Sequence, residues 1–120
     1  MFIYYNANVL GIESDDCVAR AISLALNIPY TKAIDLLYKN GNKNTCDLLN
    51  FSCYEKILND DLKLFKYNGE GYTISEIANK FPNNKILARC NGHLTCIINN
   101  NWYDLFDCGN MKCTDFWIIN

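Results

Sequence analysis

A chain of 120 residues, half of them apolar and a fifth charged, is sized for a single domain over residues 1–120, since two cores would each be too small to stand alone. A formal net charge of −2 excludes nucleic-acid binding by bulk electrostatics, and no run approaches the roughly 20 apolar residues that span a bilayer. The opening Met1-Phe2-Ile3-Tyr4-Tyr5-Asn6 lacks the basic start of a signal peptide and the seven cysteines are odd in number, so a cytoplasmic, reducing location with free thiols is expected.

In chain order, Phe2 to Tyr5 reads as a short strand and Asn6 to Asp16 as a polar loop. Val18, Ala21, Ile22, Ala25 and Leu26 then repeat at helical spacing, with Ser14, Asp15 or Asp16 available as caps, which puts Cys17 in the first turn of a helix ended by Asn27 and Pro29. Thr31 to Asn40 predicts a second helix stopped by Gly41, and Asp47 to Asn59 a third. Leu62 to Tyr67 alternates as a strand does. Thr73-Ile74-Ser75-Glu76 has capping-box spacing and opens a short helix that ends before Pro82. Lys85 to Asn91, His93 to Ile98, Asn101 to Asp107 and Asp115 to Ile119 read as successive strands. Helices first and an antiparallel sheet after them define an α+β layout.

A thiol at a helix start is favoured as thiolate by the free N–H groups there, and Cys17 has that position. Asp15 and Asp16 oppose that charge, so an imidazole partner is required, and His93 is the only histidine in the chain. A two-residue turn at Asn99-Asn100 sets Ile98 opposite Asn101 and hence Thr95 opposite Asp104. His93, Thr95, Trp102, Asp104 and Phe106 then share one face, with Asp104 diagonal to His93 and within hydrogen-bonding reach. A slip of one residue would exchange Asp104 for Asp107, which is the reserve candidate. The pattern predicts Cys17 as nucleophile, His93 as base and Asp104 as the acid that orients it. The backbone N–H of Cys17 is one candidate donor to an oxyanion, and Asn8 a second. Arg20 is placed to pair with Asp16 or with a carboxylate of the sheet. Cys108 and Cys113, with Cys90 or Cys96, contain no Cys-x-x-Cys pair and His93 is already engaged as the base, so neither metal nor cofactor is expected.

Two blocks, Asp15-Asp16-Cys17-Val18-Ala19-Arg20-Ala21-Ile22-Ser23 and Gly92-His93-Leu94-Thr95 continuing to Tyr103-Asp104-Leu105-Phe106-Asp107-Cys108-Gly109-Asn110, resemble small papain-like cysteine hydrolases of bacteriophages and prophages. Thr73 to Ala78 is similar to that family's short helix before the sheet. The chain departs from the pattern at Asn99-Asn100, at Leu105-Phe106 and at Asp115-Phe116-Trp117, and matches weakly from Asn40 to Asn68. The resemblance implies a papain-like fold, N-terminal helices on a C-terminal antiparallel sheet, and a Cys-His-Asp triad acting in the bacterial host cytoplasm. Its implied activity is hydrolysis of a peptide, isopeptide or amide bond in a protein or peptide, including a host protein. The competing expectation is a phage protein of the same fold that binds and inhibits a host defence complex without catalysis, in the manner of an anti-CRISPR. Acyl transfer by the same triad is a third.

Overall fold

The computed structural model describes residues 1–11, 16–38 and 51–119. Its centre is a mixed six-stranded sheet in the order β1-β5-β4-β3-β6-β2, built from β1 (Phe2–Tyr4), β2 (Lys66–Asn68), β3 (Lys85–Cys90), β4 (His93–Ile98), β5 (Asn101–Asp104) and β6 (Cys113–Ile118). Around it lie α1 (Cys17–Leu26), α2 (Tyr30–Tyr38), α3 (Phe51–Lys56) and α4 (Ile74–Lys80). The α+β class is as expected. The sheet is not purely antiparallel, because β1 pairs parallel to β5 with Phe2 opposite Trp102 and Tyr4 opposite Asp104. That pairing joins distant parts of the chain, which local alternation does not encode.

The two faces of the sheet carry separate apolar clusters. Val18, Ala21, Ile22 and Ala25 of α1 pack with Leu87, Leu94, Cys96 and Trp117, and α2 adds Ala33 and Leu37. On the other face Ile74, Ile77 and Ala78 of α4 pack with Ile86, Ala88, Ile97 and Phe116. The β3–β4 register, Leu87 opposite Cys96 and Ile86 opposite Ile97, sends alternate residues to the two clusters. Helices therefore cover both faces, one more layer than the sequence pattern suggests.

α1 ends where Asn27 takes a left-handed conformation at φ 53°, its N–H donating to the Leu24 carbonyl and that of Ile28 to the Ser23 carbonyl, and Pro29 opens the next helix. α2 extends over Tyr30–Tyr38; residues 39–50, with the predicted helix end at Gly41 and the start of the third helix, lie outside the described residues, as do Ser14 and Asp15. The third helix, described over Phe51–Lys56, runs into a π-turn at Ile57–Asp61, closed by Leu62 N–H on the Ile57 carbonyl. This turn brings Asn59 Oδ1 to within 2.7 Å of the indole Nε1 of the fully buried Trp117, which donates to it.

Leu62 to Leu64 finish that helix instead of pairing, since Leu64 N–H reaches the Leu58 carbonyl, so β2 begins only at Lys66. Thr73 and Glu76 form the capping box of α4 reciprocally, as their spacing predicts. Asn99 and Asn100 have φ 50° and 69°, and Ile98 faces Asn101 as expected. β5 stops at Asp104 because Asp107 turns back to accept hydrogen bonds from Trp102 Nε1 at 2.8 Å and Gly109 N–H at 2.9 Å. Cys17, Cys90, Cys96, Cys108 and Cys113 are free and buried. Cys53, half-buried on α3, is disulfide-bonded. Cys46 is outside the described residues.

Candidate active site

The three groups singled out by the sequence occupy element ends: Cys17 opens α1, His93 opens β4 and Asp104 closes β5. Ends of elements meet at the rim of the sheet, where side chains of α1 approach those of β4 and β5. His93 Nε2 lies 2.5 Å from Asp104 Oδ2, the diagonal contact that strand parity predicts. Asp107 faces Trp102 and Gly109 and is exposed, so it does not reach His93.

His93 and Asp104 are 9% and 3% exposed. Burial disfavours the charged imidazole, but hydrogen bonding to Asp104, Cys108 and Cys17 and the Asp104 charge outweigh it and raise the His93 pKa. Burial likewise opposes the Asp104 carboxylate, and His93, the Leu105 amide and Thr95 overcome that cost and lower its pKa. The pair is thus held as imidazolium and carboxylate. Phe106 packs on the imidazole at 4.9 Å between ring centroids, and Cys17 lines a small cavity with Arg20, Leu94, Tyr103, Tyr5 and Asp104.

Asp16 precedes α1 without capping it. Its Oδ2 accepts from Asn8 Nδ2 and Tyr30 Oη, both at 2.7 Å, while Oδ1 accepts from Arg20 Nε at 2.9 Å. Against the cost of burial, these donors lower its pKa. The same Arg20 places Nη1 3.4 Å from Asp104 Oδ1. Both partnerships expected for Arg20 are therefore made at once, and one guanidinium links the start of α1 to the end of β5. Asn8 commits an amide N–H to Asp16 and so buttresses this link.

Cys108, weighed from the sequence only beside other thiols, lies against the His93–Asp104 pair. It is fully buried, its Sγ is 3.7 Å from Asp104 Oδ2, and hydrogen bonding to Cys90, then burial, raises its pKa and keeps it a thiol. Among the described residues, His93, Asp104 and Cys108 form one group of potential metal ligands, with ligand atoms all within 4.8 Å of one another. The thiol-only grouping considered from sequence does not arise there. The signal that finds Cys108 is the turn after β5: once Asp107 binds back to Trp102, the next residue is returned beneath Asp104. No protein-family model, no curated protein and no solved structure matches this chain.

Proposed function

We propose that this chain is a papain-like thiol hydrolase of phage or prophage origin, acting on a peptide, isopeptide or amide bond of a protein substrate. The observation that carries the reading is the convergence of a helix-start thiol, an imidazole and a buried carboxylate, with the carboxylate on Nε2. Nδ1 is then the nitrogen left to exchange a proton with Cys17. The Cys17 thiolate attacks the acyl carbon, the imidazolium gives its proton to the leaving amine, and water, deprotonated by His93, releases the acid and restores the thiol. The Cys17 N–H, at the start of α1 where Asp16 makes no side-chain cap, is the donor that this reading assigns to the developing oxyanion.

Mass-mapped iodoacetamide labelling of the folded chain at neutral pH tests the reading. Cys17 is expected to react ahead of Cys90, Cys96, Cys108 and Cys113, and the Cys17→Ala chain to lose hydrolysis of peptide substrates. Equal labelling of Cys17 and the other thiols would sink it. A second reading, a non-catalytic phage protein that binds and inhibits a host defence complex, draws on the exposed apolar side chains near the site, Val9, Leu10, Leu105 and Phe106. It predicts a stable host complex that survives both Cys17→Ala and His93→Ala.

A further inference from the structure

We infer that His93, Asp104 and Cys108 form a Zn²⁺ site, and that Zn²⁺ there switches off the thiol chemistry. The metal site stands on the geometry alone; the switching rests on the hydrolase reading. An imidazole, a carboxylate and a thiol drawn from β4, the end of β5 and the following turn have their ligand atoms within 4.8 Å of one another, all in buried residues. Nitrogen and sulfur in the set favour zinc over calcium or magnesium, which take oxygen ligands.

Distances decide whether an ion fits. Tetrahedral zinc with bonds of about 2.0–2.1 Å to nitrogen and oxygen and about 2.3 Å to sulfur needs ligand separations of roughly 3.3 Å for N and O and 3.6 Å for S and O. Cys108 Sγ and Asp104 Oδ2 are already 3.7 Å apart. His93 Nε2 and Asp104 Oδ2, at 2.5 Å, must separate by a little under an ångström, roughly 0.8 Å. Arg20 approaches the other carboxylate oxygen, Oδ1, and leaves Oδ2 for the ion. Its charge is shared with Asp16, which lessens its opposition to a cation. Water completes the fourth position.

Binding exchanges two protons for one Zn²⁺: one leaves the Cys108 thiol and one the imidazolium, both to solvent, so affinity rises with pH. The Nε2 lone pair is then committed to the metal and the His93–Asp104 hydrogen bond is gone. His93 can no longer alternate as acid and base toward Cys17, and the site is silent while zinc is bound.

The test is titration of ZnCl₂ into the reduced full chain against a chromophoric chelator, with no substrate present. One Zn²⁺ per chain is expected, with affinity within about twofold of the parent in Cys17→Ala and in the control Cys96→Ser. Cys108→Ser is expected to bind at least roughly 10–100-fold more weakly, the loss that even a supporting group causes. Unchanged affinity in Cys108→Ser, or lost binding in Cys17→Ala, would overturn the site. X-ray absorption of the unmodified zinc complex decides independently of any variant: one sulfur ligand supports the assignment and two or more refute it. Zinc should also slow Cys17 alkylation in the parent and not in Cys108→Ser. An unslowed parent refutes the switch, while a chain that binds zinc but hydrolyses nothing refutes only the hydrolase reading.

Discussion

At the residue scale, Arg20 is the group on which most depends. It satisfies two buried carboxylates from different parts of the fold, and removing one partner of such an arrangement strands charge in a poorly solvated place. Arg20→Ala is expected to cost about 3–5 kcal/mol in urea unfolding; a loss below about 1 kcal/mol, the level of a surface ion pair, would show that Asp16 and Asp104 are adequately solvated without it. Asp104→Asn retains shape but removes the charge that stabilises the imidazolium. Its expected effect is a loss of roughly 10³–10⁴-fold in turnover by the proposed hydrolase, read as kcat on a peptide substrate with the fold checked by circular dichroism. The choice of Asp104 over Asp107 was legible in the sequence because side chains on strands alternate and an Asn-Asn turn fixes the register. Cys108 was not legible in that way: its position follows from where β5 stops, and that is decided by the Asp107 carboxylate binding Trp102 and Gly109.

At the element scale, the two features that strand and helix periodicity missed are both products of tertiary contact. The π-turn after α3 widens the helix by one residue, which buries Ile57 and Leu58 and gives the Trp117 indole its acceptor. Asn59→Ala leaves that N–H unpaired beside a core tryptophan, for an expected destabilisation of about 1–3 kcal/mol by chemical denaturation. Asn59→Asp, which keeps an acceptor, should lose less, and an equal loss for both would assign the effect to helix propensity. The β4–β5 turn behaves as its sequence indicates. Both asparagines are left-handed, so Asn100→Val is expected to cost about 1–2 kcal/mol while Asn100→Gly is tolerated; thermal melts of the two variants compare them directly. The parallel pairing of β1 with β5 had no local signature, because neither strand's composition records its partner.

At the scale of the whole molecule, the site's charges set how stability varies with pH. Asp16 and Asp104 have lowered pKa values in the folded chain, so their contribution is present above about pH 4, the ordinary carboxylate range, and disappears as pH falls through the folded values. His93 has a raised value, so its contribution is complete below about pH 6.5 and fades as pH climbs toward the folded value. His93 and Asp104 share one interaction, which counts once. Greatest thermal stability is therefore expected between about pH 4 and 6.5, with a decline on each side; a melting temperature that keeps rising to pH 9 would contradict it. No helix among the described residues is long and apolar enough to cross a membrane. The α+β class could be read from the order of helical and strand periodicities, whereas the second covered face and the mixed sheet required knowing which distant segments meet. The placement of Cys17, His93 and Asp104 at the ends of α1, β4 and β5 also bears on synthesis. The thiol leaves the ribosome long before the imidazole and carboxylate that would arm it, and the arginine clamp closes only when β5 has joined the sheet. A nascent or truncated chain thus carries Cys17 without its partners, so under the proposed hydrolase reading any thiol chemistry begins only after folding is complete.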